Sequence, residues 1–281
     1  MTNFRPGGID AIPPVVKNII IINVLMVLIQ YVLGRRGINL ADYLGLHYWA
    51  SPKFRWWQPF THLFMHGDAN DLNLTFWHLF SNMLALWMFG RILESLWGPQ
   101  RFLLFYFVCG LGAAICHMGV LTFEFSSFHN QFMHFQLNPT FVEYTHFVRE
   151  NKLDNDNVAM RILTFWNENP GCPECPQYAI NFLHQYYSAM INTATVGASG
   201  AVFGVLFAFG YLFPNTELML IFPPMPIKAK WVVALYALFE LTSGMQNAAG
   251  DNVAHFAHIG GMIFAFIILR IWNSRHRNQF Y

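Results

Sequence analysis

Residues 197–213 read GASGAVFGVLFAFGYLF, a knot of small residues running without a polar break into an apolar helix. An amphipathic surface helix keeps its hydrophobic residues on one stripe, and this one has them all round. As a span it covers 199–213 and, like 229–241 farther on, is short of the roughly 20 apolar residues that lipid requires. Shortness is expected of a helix that begins inside a protein-walled, water-filled cavity. Five further apolar stretches accompany it, at 17–33, 74–93, 102–121, 229–241 and 253–272. The sequence therefore predicts an all-α membrane protein, a bundle of six transmembrane helices.

Composition points the same way. Of 281 residues, 55% are hydrophobic, 17% aromatic and 11% charged. Soluble domains carry about 25% charged residues. A formal net charge of +1 offers no basic field, so nucleic acid is excluded as a partner. The partner implied is the lipid bilayer. Residues 17–33 precede Gly34-Arg35-Arg36 with no small-residue cleavage pattern, so they are expected to be a retained span and not a secretory signal.

Six spans put both termini on one side. One face collects Arg5, Lys17, Arg91, Arg101, Lys228, Lys230, Arg270, Arg275 and Arg277. The other has Arg35, Arg36, Lys53 and Arg55, plus Arg149, Lys152 and Arg161 in one long loop, where charges count little. The bias predicts cytoplasmic termini, in a bacterial inner membrane.

Two long connections then lie outside. The first, 34–73, carries Tyr43, Tyr48, Trp49, Phe54, Trp56, Trp57, Phe60 and Phe64, which suits an element lying in the membrane interface. The second, 122–196, is too long for a plain connection. It has helix-like stretches at 141–152, 160–168 and 177–190, broken by Asn169-Pro170-Gly171. The chain, 1–281, is thus expected to be a single membrane domain with 122–196 as a folded extracytoplasmic insertion. Cys172 and Cys175 form one Cys-x-x-Cys pair. A structural zinc site needs a second pair or matched histidines, so the pair is expected to be a redox-labile or disulfide-capable turn. No cofactor is expected.

Three places can carry chemistry. Glycines around Ser199 allow close approach of another backbone. A helix start there supplies free N–H groups and a dipole that favours developing negative charge, the surroundings of a nucleophile beside an oxyanion hole. Alone, the pattern also fits a plain serine cap in a tight helix contact. Val253-Ala254-His255-Phe256-Ala257-His258-Ile259-Gly260-Gly261 opens the last span. Ionisable residues in spans are functional candidates, and a neutral imidazole can take a serine proton. The glycines after His258 would let this helix sit against the start of the Ser199 helix. With no partner acid evident, serine and histidine read as a dyad. His78 and Asn82 share a helical face at i, i+4 spacing, and both can donate to an oxyanion or act as polar glue between helices.

These three elements, in this order and on the second, fourth and sixth spans, resemble the rhomboid family of intramembrane proteases. The family's His-x-x-x-Asn is matched by His78 and Asn82, and its Gly-x-Ser-Gly by Gly197, Ser199 and Gly200. Its Ala-His with following glycines is matched by Ala257, His258, Gly260 and Gly261. Trp57-Gln58-Pro59-Phe60-Thr61-His62, Met65-His66 and Gly90-Arg91-Ile92-Leu93-Glu94 resemble flanking family segments. The resemblance implies a serine endopeptidase in which Ser199 attacks the scissile carbonyl and His258 is base, then acid. It implies that Ser199 and Gly200, with His78 and Asn82, hold the oxyanion, and that substrates are transmembrane-anchored proteins cut near the external surface. His255 is the alternative base, and the Gly260-Gly261 pair favours His258. Where the family commonly has tyrosine stacked on the histidine, Phe203 stands, keeping the ring without the hydroxyl. Where it often has Trp-Arg, Trp57-Gln58 stands, so a polar anchor is expected to be weakened or relocated.

Two rival readings exist. A non-catalytic rhomboid-like chaperone generally lacks the serine or the histidine, and both are here. A metal site built from His62, His66, His78, His255 and His258 lacks a His-Glu-x-x-His and an accompanying carboxylate, so no metal is expected.

Overall fold

The computed structural model describes residues 12–67, 71–219, 225–246 and 254–277, the last four by their helical backbone only. Arg5 and Val253, used in the sequence reading, lie outside the described residues, as do the side chains of Arg275 and Arg277. The described residues are predominantly helical. The chain runs α1 (Pro14–Gly34), the short α2 (Ala41–Leu44) and α3 (Gln58–Thr61), then α4 (Leu72–Ala85), α5 (Arg91–Trp97) and α6 (Pro99–Leu137). There follow α7 (Phe141–Glu150), α8 (Asn157–Glu168), α9 (Cys175–Asn192), α10 (Ser199–Leu212), α11 (Ala229–Gln246) and α12 (His255–Arg277). An antiparallel hairpin of β1 (Glu217–Met219) and β2 (Pro226–Lys228) joins α10 to α11.

Among the described residues, three helices are long and apolar enough to cross a membrane: Pro14–Gly34, Pro99–Leu137 and His255–Asn273. The second expected span is α4 and α5 with a π-helical turn, Leu86–Gly90, between them. The fourth is the short apolar helix α10. The fifth, α11, carries Lys230 and Glu240 in an otherwise apolar run.

The bundle core gathers around α6, α10 and α12, the most extensively packed elements. Lipid tails are as apolar as side chains, so close backbone approach does the holding here. A Cβ on Gly200 would collide with that of Ala113, one on Gly204 would meet Cys109, and one on Gly261 would strike the Gly200 carbonyl. Small residues therefore bring α10 and α12 together at the level of Ser199. At the opposite end of the bundle, buried Glu94 receives the N–H groups of Val15 (2.9 Å) and Val16 (2.8 Å). It satisfies donors that the first turn of α1 leaves open.

Gln58 is the polar anchor of the first connection, in the place of the family's arginine. Its buried Oε1 accepts from the backbone N–H of His47 (3.2 Å) and of Arg55 (3.1 Å), and its Nε2 donates to the Lys53 carbonyl (2.9 Å). Trp49, Trp56 and Tyr43 remain exposed, as an interfacial element requires. In this connection, outside the spans, burial pushes the imidazole of His62 down to about 4 and that of His66 down to about 3.

One expectation needs correction. The second long connection does not begin at residue 122, because α6 continues as one helix to Leu137. Its 39 residues span roughly 58 Å at about 1.5 Å per residue, nearly twice the roughly 30 Å hydrocarbon layer. The outer part buries Phe128, Phe132 and Phe135 against Tyr144, Phe147, Trp166 and Leu183 of α7, α8 and α9. Thr140 and Asp156 cap α7 and α8 through N–H bonds from Glu143 and from Val158 and Ala159. A disulfide joins Cys172 and Cys175 at the start of α9.

Candidate active site

The segment before Ser199 is pinned from the first connection. Leu46 and Thr195 form a two-way backbone bridge (2.8 Å each way), and Gly197 N–H donates to the His62 carbonyl (3.0 Å). His117 of α6 lies 2.8 Å from the Thr195 hydroxyl. Gly197 has φ +130°, a conformation other residues rarely adopt. A Cβ there would also come within 2.9 Å of two atoms of the His78 ring. Glycine is therefore required twice, and its bare backbone lets His78 sit beside the serine turn. The first helical bond of α10 runs from Val202 N–H to Ala198 (3.0 Å). The N–H groups of Ser199, Gly200 and Ala201 precede it, with no helical turn to bond to.

Helix α12 approaches through Gly260, packed on Cys116, and Gly261, packed on the Gly200 backbone. This is the contact expected from the glycines after His258, and its result is geometric: His258 Nε2 lies 2.7 Å from Ser199 Oγ. Phe203, one turn along α10, stacks face to face on the His258 ring at 4.2 Å between centroids and 13° between planes. Tyr236 of α11 meets Phe203 edge-on at 6.0 Å.

No acid partner for this histidine is evident in the sequence, but the structure supplies one. Glu240 Oε2, on α11, accepts from Nδ1 of His258 at 2.8 Å. The same oxygen accepts from Nδ1 of His255 at 2.6 Å. Glu240 is 4% exposed and each histidine 7%, so the cluster is buried among the helices. No local motif announces Glu240, because it stands 18 residues before His258 on another helix. The available signal was a lone carboxylate in an apolar span, a functional candidate by default.

His78 and Asn82 occupy the face of α4 turned to the bundle, but in different ways. His78 lies against Gly197, with the His66 ring edge-on at 5.0 Å. Asn82 is buried and its Nδ2 donates to the His78 carbonyl at 3.0 Å. Its amide thus faces its own helix in this state.

Of the histidines considered for a metal, His255 and His258 come together, and Glu240 joins them. Among the described residues this is the grouping that could hold an ion, with ligand atoms within 4.8 Å of one another. Two imidazole N–H groups on one carboxylate oxygen already satisfy it by hydrogen bonding. His62 is occupied elsewhere, its Nδ1 3.0 Å from the Gln58 carbonyl.

Comparison with known proteins gives two positive findings. The family model described as the Rhomboid domain matches residues 53–126 and 127–274, most of the chain. "Rhomboid protein 1, mitochondrial" of Saccharomyces cerevisiae is 26% identical over 240 residues, covering 82% of this chain. The chain spans about half the length of that relative, 50%. No solved structure matches significantly. The relative is a mitochondrial protein by its name, so the expectation of a bacterial inner membrane draws no support from it.

Proposed function

We propose that this chain, which belongs to the rhomboid family, is an intramembrane serine endopeptidase that cuts transmembrane-anchored proteins near the extracytoplasmic surface. The observation that carries the reading is the 2.7 Å approach of His258 Nε2 to Ser199 Oγ, under the stacked ring of Phe203. In the proposed reaction Ser199 Oγ bonds to the scissile carbonyl carbon while its proton passes to His258 Nε2. The carbonyl π pair moves onto oxygen. The oxyanion is held by the backbone N–H groups at Ser199 and Gly200, with His78 and Asn82 as side-chain donors. As the C–N bond breaks, Nε2–H gives its proton to the leaving amine. Water then repeats the sequence on the acyl-serine, with His258 as base, and Ser199 is regenerated.

The architecture proposed is six spans with cytoplasmic termini: α1, α4 with α5, α6, α10, α11 and α12. It forms a single membrane domain with an extracytoplasmic insertion. The insertion gates substrate access, a role supported by Lys152 Nζ donating to the Gln246 carbonyl (2.6 Å) at the end of α11. Reconstituted protein should cleave a membrane-anchored substrate and be labelled by a serine-directed phosphonate. Ser199→Ala should lose both while remaining folded. Cleavage at the wild-type rate by Ser199→Ala would end the proposal, and absence of labelling in the wild type would favour a non-catalytic relative.

A further inference from the structure

We infer that Glu240 is a positioning residue of this site, its single oxygen Oε2 holding the Nδ1–H groups of His258 and His255 so that His258 turns an unprotonated Nε2 to Ser199. The inference rests on the hydrolase reading above and deepens it.

A carboxylate oxygen accepts and does not donate, and a neutral imidazole carries one proton on one of its two nitrogens. With Nδ1 of His258 at 2.8 Å from Oε2, that proton sits on Nδ1. Nε2 is then the lone-pair nitrogen, and it faces Ser199 Oγ at 2.7 Å. A neutral carboxyl could offer its one proton to one ring only, yet Oε2 is met by two, the second being His255 Nδ1 at 2.6 Å. The arrangement therefore fixes the tautomer in which the ring can accept the serine proton. When the proton arrives, the imidazolium faces a buried negative charge that was in place beforehand, as an orienting acid provides in a triad.

His255 has a place in the same device. Three residues from His258 on α12, it grips the carboxylate from a second direction, so Glu240 cannot swing away from His258 without breaking a short bond. Helix α11 supplies two parts at once. Glu240 and Tyr236 are one turn apart, and Tyr236 buttresses Phe203, the ring that lies on His258. The imidazole is thus held at its edge by a carboxylate and on its face by an aromatic ring. Burying a carboxylate is costly without hydrogen bonds, and the two imidazole N–H groups on Oε2 offset part of that cost.

The test is steady-state kinetics on full-length protein in liposomes with a membrane-anchored substrate, alongside the rate of phosphonate labelling at Ser199. Glu240→Gln should lower kcat by at least about 10²-fold, as loss of an orienting acid does elsewhere, with KM within about twofold. Labelling should slow in parallel, and Glu240→Asp should restore part of kcat. His255→Ala should lower kcat in the wild-type background and add nothing in Glu240→Gln, because it acts through the same carboxylate. Wild-type kcat in Glu240→Gln, or full additivity of the two changes, overturns the inference. If Glu240→Gln does not fold, Glu240→Asp and His255→Ala decide it: unchanged kcat in both overturns it. Cleavage surviving in Ser199→Ala would instead strike the hydrolase reading itself.

Discussion

Phe203 and His258 lie face to face, 4.2 Å between centroids and 13° from parallel. The stack belongs to two helices whose contact is set by Gly200 and Gly261, so ring and imidazole are presented to each other by backbone packing. Aromatic pairs add about 0.5–1.5 kcal/mol beyond area burial. Phe203→Ala should therefore lower kcat by roughly tenfold, and Phe203→Tyr should keep most of it. An alanine variant as fast as wild type would show that the stack does not position the base.

His258→Ala should eliminate turnover and phosphonate labelling together. His255→Ala should leave reduced but measurable activity, since His258 still faces Ser199. The reverse order of effects would move the base to His255.

Removal of one oxyanion donor commonly costs about 10²–10³ in kcat. His78→Ala should show a loss in that range, because its ring already adjoins the serine turn. Asn82 must first release the His78 carbonyl it now binds, so Asn82→Ala should lower kcat less. Assays on both variants at saturating substrate check this, and no loss in either would leave them as structural glue.

Gly261→Val should reduce stability and activity in step. Any Cβ at this position meets the Gly200 carbonyl, so α12 would have to withdraw and take His258 from Ser199. Overpacking typically costs about 1–3 kcal/mol. Thermal unfolding in detergent and cleavage rate, measured on one preparation, should fall together.

Acid should destabilise the fold through the first connection. Burial holds His62 at about 4 when folded, against about 6.5 unfolded. The unfolded chain binds this proton first as pH falls, so the contribution is intact above about 6.5 and lost on the way to about 4. The loss amounts to about 3 kcal/mol at most. Unfolding midpoints at pH 7.5 and 4.5 should differ less in His62→Phe than in wild type. An unchanged difference would rule His62 out as a source of acid sensitivity.

The helices and much of the site were legible because their signals are local. Continuous apolar runs mark membrane helices, Gly-x-Ser-Gly marks a tight helix start, and Asn169-Pro170-Gly171 marks the break between α8 and α9. Two things escaped for one reason. Glu240 reaches its histidines across a helix pair, and the continuation of α6 past residue 121 depends on partners in α7 and α9. Neither follows from periodicity along one segment. Gln58 shows the converse, a departure from the family pattern whose compensation becomes visible only when its backbone partners His47, Arg55 and Lys53 are seen together.

Helix α6 belongs to two cores at once. Near its middle Ala113 and Cys116 are in register with Gly200 and Gly260, and farther along Phe128, Phe132 and Phe135 anchor the insertion. The 122–196 segment accordingly begins as the continuation of one helical rod that also packs in the bundle core, and not as a loop tied on at two points. Excising 122–196 would saw through that rod. A surgical removal must leave the helix whole to Leu137 and re-cover the aromatic stripe it exposes.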